Sequence, residues 1–218
     1  MAVDVAAFRR AAGQFPTGIV VVSTSLAGVG HAMTVSAFTS VSLEPVLVLF
    51  CAEKVARFHD AVLEAGTWAV SVLGEDSEKV ARWLATRGRP LEGQLDAVPH
   101  RAGPLTGAPI LECALAALEC RTTAVHDGGD HSIIVGEVIG ISEPGAGREA
   151  DSDGGAYPAG PSGGSGTSGG PETSDGSGTS GGSGTSGGSG TPDGAEGPLI
   201  YHRGRYRRLA PDPRPPKA

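Results

Sequence analysis

The chain has 218 residues, 35 of them glycine, and a formal net charge of −7. Eight acids and one base, Arg148, lie between Glu143 and Gly197, so that Gly-, Ser- and Thr-rich stretch carries the whole net charge and the remainder is balanced. That balance argues against a nucleic-acid-binding face, and the longest apolar runs, such as Val46–Ala52, are too short to span a bilayer.

Val3–Gln14 has Val3, Ala6, Ala7, Phe8 and Ala11 at helical spacing and predicts a short amphipathic helix, stopped by Phe15-Pro16-Thr17-Gly18. Asp4, Arg9 and Arg10 precede any long apolar run, which does not fit a signal peptide. Ile19–Thr24 is continuous and β-branched and predicts a buried strand, with a turn over Leu26–Gly30. In His31–Leu43, Thr34, Ser36, Ser40 and Ser42 interleave with Val35, Phe38 and Val41, which predicts a strand with one polar face, bent near Ala37. Val46–Cys51 follows as a strand after the turn at Pro45, and Val55–Ala65 as a helix capped by Gly66. Trp68–Leu73 predicts a strand and Ser77–Ala85 a helix with Asp76 or Ser77 as N-cap. Arg87–Thr106, rich in Gly and Pro, reads as a loop.

Leu115–Val125 and Ser132–Ile141 predict two long strands joined at Asp127-Gly128-Gly129-Asp130, a strong hairpin signal. Leu199–His202 and Arg205–Leu209 predict a last hairpin around Arg203-Gly204, and the basic Arg203–Arg208 run reads as its solvated face. Strands outnumber helices at short spacing. The expected fold class is therefore mostly β, an antiparallel barrel with peripheral helices, since closure removes exposed edges.

Between these parts, GSGTSG recurs at Gly164–Gly169, Gly176–Gly181 and Gly182–Gly187. Such sequence has almost nothing to bury and cannot offset its ordering entropy. The expected organisation is a barrel over 1–143, a disordered insert over 144–197, a closing hairpin over 198–210 and a flexible tail over 211–218. Cys51, Cys113 and Cys120 form no CxxC, and an odd number cannot all pair internally, which suits a reducing compartment. Each lies in an apolar, strand-like run and reads as a buried inert thiol. The chain is thus expected to be soluble and cytoplasmic.

Hydroxyls and free backbone N–H groups in the His31–Leu43 segment can bind phosphate or the polar edge of a planar ring, although composition alone favours an ordinary half-exposed strand, where Thr and Ser are common anyway. His126 and His131 flank a turn and form no ligand cluster, so no metal site is expected. No GxGxxG follows a strand, which speaks against a Rossmann-type nicotinamide site.

Four segments in order carry a resemblance. Phe8-Arg9-Arg10 through Phe15-Pro16-Thr17-Gly18 is similar to an FRxAxGxFPTGVxVV pattern. Met33-Thr34-Val35-Ser36-Ala37-Phe38-Thr39-Ser40-Val41-Ser42-Leu43-Glu44-Pro45 is similar to TxSSFxSVSxxPP. Gly129-Asp130-His131 through Val138 is similar to GDHxxxxGEV, and Pro198–Tyr206 to PLxYxRGxY. Together these resemble the flavin reductase-like family, the FMN-binding split barrel, over essentially everything except the insert.

That resemblance implies a split β-barrel, Greek-key-like, that binds FMN or FAD and takes hydride from NADH or NADPH. It implies a homodimer with flavin near the subunit interface, and a flavin-dependent monooxygenase as the partner that receives reduced flavin. Thr34, Ser36 and Ala37 are the implied contacts of the flavin phosphate and ribityl chain, and Ser40, Val41 and Ser42 line the isoalloxazine. His131 corresponds to the family histidine tied to nicotinamide binding and hydride transfer, with Asp130 able to orient its ring. Tyr201 either packs near the flavin or belongs to the core.

Two departures stand out. Glu53-Lys54-Val55-Ala56-Arg57 lacks the hydroxyls the family often has after the cysteine strand, and the cations Lys54 and Arg57 are the candidate replacements. Ser71 stands where the family commonly has Asn. The expected function is an NAD(P)H:flavin oxidoreductase. The alternatives are a flavin-dependent oxidase on the same barrel and a non-enzymatic flavin-binding protein.

Overall fold

In the computed structural model, residues 2–142 and 197–210 are described. The expected disordered insert, apart from Gly197, and the expected flexible tail lie outside these residues. No helix among them is long and apolar enough to cross a membrane.

The first helix, α1 (Val5–Ala12), begins where Asp4 accepts hydrogen bonds from the N–H groups of Ala6 and Ala7, at 3.1 Å each. This satisfies two of the donors a helix start leaves unpaired. The strands that follow are β1 (Thr17–Gly18), β2 (Val20–Leu26), β3 (Val29–Val35), β4 (Phe38–Leu43) and β5 (Val46–Glu53). Then come α2 (Arg57–Ala65), β6 (Thr67–Leu73), α3 (Glu78–Ala85), β7 (His100–Ala102) and β8 (Pro109–Leu111). The long hairpin β9 (Ala114–Gly128) and β10 (His131–Ser142) precedes β11 (Ile200–His202) and β12 (Arg205–Arg207).

Seven strands form one antiparallel sheet in the order β3-β2-β6-β9-β10-β5-β4. Its two edges, β3 and β4, are consecutive in the chain, with only Ser36 and Ala37 between them. Three backbone steps reach at most about 11 Å, so the edges must approach each other and the sheet curls into a barrel split along this seam. The Ala37 carbonyl accepts from Cys51 N–H at 3.1 Å, which fixes the seam against β5. The predicted single bent strand over His31–Leu43 is therefore two strands, broken where the bend was expected.

β2 is buried on both faces, as its continuous β-branched run predicts. Val21 packs with Leu73, Leu84 and Leu111 beside α3, whereas Val22 packs with Phe50, Trp68 and Ile134 beneath α2. Gly66 caps α2 at φ 67°, the left-handed region that glycine enters without a Cβ penalty. Gly136 lies flat against the buried Trp68 ring, and a Cβ there would collide with it. At α3, Ser77 holds the N-cap position without a side-chain cap bond, after a 3-10 turn over Glu75–Ser77. The loop predicted over Arg87–Thr106 contains β7, which pairs with β8 in a small separate sheet.

After the undescribed stretch the chain returns to the barrel. Leu199 donates to the Leu73 carbonyl at 2.9 Å and accepts from Ile19 N–H at 3.1 Å, and β11 pairs with β1.

Candidate functional site

A cavity of about 430 Å³ opens at the β3–β4 seam. One wall is β3 with Ser36 and Ala37; the end of β5 and His131 close one side; the start of α2 and residues 84–91 form the other wall. Strand alternation explains the lining contributed by β5. Cys51 and Glu53 face the cavity from β5 while Ala52 turns into the core, and His131 stands opposite Glu53 in register.

Of the predicted site residues, Thr34, Ser36, Ala37, Arg57 and His131 meet around this cavity. The Thr34 hydroxyl donates to the Ala81 carbonyl at 2.8 Å, so it also ties β3 to α3. Ser40, Val41 and Ser42 stand outside the lining, on the edge strand β4. Lys54 pairs with Asp127 beside the turn of the long hairpin, outside the lining too. Tyr201 packs against Tyr206 with centroids 5.4 Å apart, alongside the core beside α3.

The His131 ring is oriented by its neighbour: Nδ1 lies 2.7 Å from Asp130 Oδ1. A carboxylate only accepts, so in the neutral ring the proton sits on Nδ1 and Nε2 is left as the acceptor. The hydrogen bond from His131, and then its charge, hold the Asp130 carboxyl below its ordinary range. The Lys54 N–H donates to the Asp130 carbonyl at 3.0 Å, pinning the turn from the β5 side.

The opposite wall contains what the sequence reading missed. Arg89 reaches across to β3, donating to the Ala32 carbonyl, to the Thr86 carbonyl at 2.9 Å and to Gln94 Oε1 at 3.3 Å. Gln94 in turn donates to the Gly30 carbonyl at 3.0 Å, and Arg57 donates to the Arg89 carbonyl. One terminal guanidinium nitrogen of Arg87 bridges both carboxylate oxygens of Glu53, at 2.8 and 2.7 Å. Burial, and then the nearby Arg57, lower Arg89 to about 10. The same two causes push the His31 imidazole below its ordinary value. Arg87-Gly88-Arg89 was the available signal, an alternation of cations around a glycine in a segment otherwise read only as a loop.

Among the described residues, no carboxylate lies within ion-pair distance of Arg57 or Arg89. Arg57 is exposed, but Arg89 is half-buried, and a cation drawn out of water without a counter-charge is costly; a bound phosphate supplies that counter-charge through guanidinium geometry. The cavity volume lies within the range of small-molecule and cofactor sites, roughly 300–1,000 Å³. Residues and space thus fit a phosphate-bearing ligand of cofactor size. No group of three or more His, Cys, Asp or Glu side chains with metal-site spacing occurs among the described residues.

The family model for the flavin reductase like domain matches residues 12–210. The chain belongs to the flavin reductase-like family. An NADH-dependent FAD reductase of Streptomyces globisporus is 45% identical over 132 residues, which cover 60% of this chain and 72% of that protein. The reductase subunit of a flavin-dependent monooxygenase from Mycobacterium tuberculosis is 37% identical over 141 residues, covering 65% and 73%. Among solved structures, the NADH:FAD oxidoreductase of Streptomyces globisporus superimposes with a TM-score of 0.70 at 32% identity, over 96% of this chain and 95% of that one. The flavin reductase component of a bacterial two-component tryptophan halogenase gives 0.68 at 31% identity, over 94% and 98%. This flavin reductase-like chain therefore shares both the sequence pattern and the split barrel of those enzymes.

Proposed function

We propose that the chain is an NAD(P)H:flavin oxidoreductase that reduces FMN or FAD and supplies the reduced flavin to a flavin-dependent monooxygenase. The observation that carries this is the meeting, around one cavity, of a cationic wall and an oriented imidazole. Arg57 and Arg89 offer positive charge that no carboxylate of the described residues pairs, and His131 lines the same cavity. The bound flavin supplies the electron-accepting ring, and the protein supplies binding and orientation.

In this reading Thr34, Ser36, Ala37 and Arg57 hold the phosphate and ribityl portion. His131, with Asp130 fixing its tautomer, orients the nicotinamide donor. Ser40, Val41, Ser42, Lys54 and Tyr201 lie outside the cavity of one protomer, and Ser40, Val41 and Ser42 belong to the proposed subunit interface. A homodimer is supported by β4, an edge strand whose Val41 and Leu43 are 49% and 83% exposed, and by α1, which buries none of its residues. We place the protein in the cytoplasm and read 144–197 as an insert in one barrel completed by 198–210.

The test is to follow NADH and NADPH oxidation with FMN, FAD or riboflavin as the sole acceptor. Flavin-dependent consumption is expected, and flavin binding without consumption would instead mark a carrier. His131→Ala is expected to lower kcat/KM for the nicotinamide about thirtyfold while changing flavin affinity less than about threefold. Unchanged turnover in that variant would remove His131 from the reaction.

A further inference from the structure

Behind the wall that carries His131 lies a polar chain that the proposed reaction does not use. His59, on α2, is buried at 9% exposure, and Ser132, on β10, at 6%. His59 Nε2 lies 2.9 Å from Ser132 Oγ, and His59 Nδ1 lies 2.8 Å from Asp60 Oδ1. Asp60 only accepts, so the neutral ring donates from Nδ1, and its Nε2 accepts a hydrogen bond from the Ser132 hydroxyl. The neighbours of the pair, Ala52, Phe58, Val62 and Ile134, are apolar and buried.

Packing alone does not call for a hydrogen-bonded pair here. Two apolar side chains of the same shape would be nearly neutral in its place. What a directed bond adds is a fixed position, and the position it fixes matters. β10 starts at His131, directly after the turn at Gly129, whose φ is 78°. Burial alternates along His131–Gly136, so His131 faces the cavity and Ser132 the opposite side. Strand ends beside tight turns are where pairing is weakest. Lys54 N–H on the Asp130 carbonyl holds this one from β5, and His59 holds it from α2. The same helix opens with Arg57, on the cationic wall.

We propose that His59 and Ser132 are positioning residues for hydride transfer: their bond fastens the back of β10 to α2 and so holds His131, one residue away on the front, at a set distance from the cationic wall. This rests on the cavity and His131 having the roles proposed above.

The experiment is a double-mutant cycle between Ser132→Ala and His131→Ala, with NADH kinetics at saturating FMN or FAD and flavin affinity measured separately. Ser132→Ala is expected to lower kcat/KM for NADH about tenfold, with the flavin Kd within about twofold of the parent. Ser132→Thr and His59→Gln, which retain a bonding group, are expected to recover all but about threefold of that loss. In the His131→Ala background, Ser132→Ala is expected to cost less than a further twofold or so, because it acts through the residue already removed. A full tenfold loss in that background, or a flavin Kd that rises in step with the loss, would overturn the positioning role and leave the His131 assignment standing. A His131→Ala enzyme of normal activity would overturn both.

Discussion

The two walls of the cavity are built on different principles. The strand wall is positioned by backbone pairing: β3 runs in register with β2 from Val35↔Val20 to Val29↔Leu26, and β5 with β10 from His131↔Glu53 to Glu137↔Leu47. The loop wall, residues 84–94, has no such ladder. Its place is set by a few side chains, with Arg89 bonded to Ala32, Thr86 and Gln94, Gln94 to Gly30, and Arg87 to Glu53. A ladder distributes its hold over many bonds that no single side chain owns, whereas the loop concentrates it in two or three residues. Substitutions of similar chemical size are therefore expected to act unequally on the two sides.

The sharpest way to break this comparison is Arg89→Met against Ser36→Ala. Met keeps the bulk of the stem but leaves the Ala32 and Thr86 carbonyls without their donor, and bonds from charged groups contribute about 1.5–3 kcal/mol each. Flavin affinity should fall about a hundredfold as the loop detaches, while Ser36→Ala should cost less than about fivefold. Isothermal titration of both variants with FMN and FAD checks this, and losses of equal size would mean that the loop is held by something other than Arg89. A smaller effect separates charge from structure on the loop side. Arg57 is exposed and donates to the Arg89 carbonyl while lining the cavity. Arg57→Gln should weaken flavin binding about tenfold at low salt, and the gap should narrow in about 0.5 M salt, where screening acts within roughly 4 Å. A gap independent of salt would assign Arg57 to holding the loop rather than to the ligand's charge.

The same difference in construction decides what was legible in the sequence. Periodicity and punctuation report backbone structure, so the strand wall could be read: the hydroxyl alternation over His31–Leu43, the hairpin at Asp127–Asp130, and Gly66 as a cap all correspond to observed elements. Even the split of β3 from β4 lies at the Ala37 bend. The loop wall could not be read, because nothing local distinguishes an arginine that inserts into carbonyls of a distant strand from one that is solvated. Arg89 and Ala32 are 57 positions apart in the chain. His59 escaped for a related reason. Its helix was predicted, but the face that meets Ser132, 73 positions away, is set by packing against the sheet. The family resemblance supplied His131, which composition alone would have left as an unremarkable histidine at a turn.

The smallest expected effect probes how strongly the cations of the loop wall are felt across the cavity. His31 is a buried residue of the strand wall, and burial first and Arg57 second push its imidazole below the ordinary 6.5. The unfolded chain therefore takes up a proton as the pH falls through about 6.5 while the folded chain resists it. Protons bound preferentially by the unfolded state lower stability, so this residue's contribution is present above that pH and is lost progressively below it. The melting temperature of the parent should drop a degree or two further than that of His31→Gln between about pH 7 and about pH 5.5. Arg57→Gln should recover part of that difference, because it removes the second cause and leaves the first. Bound flavin phosphate should act in the same direction, since an anion beside Arg57 offsets its repulsion of an imidazolium. If Arg57→Gln leaves the difference between the parent and His31→Gln unchanged, burial alone accounts for it, the two walls are electrostatically independent, and the cationic wall then acts on the ligand alone.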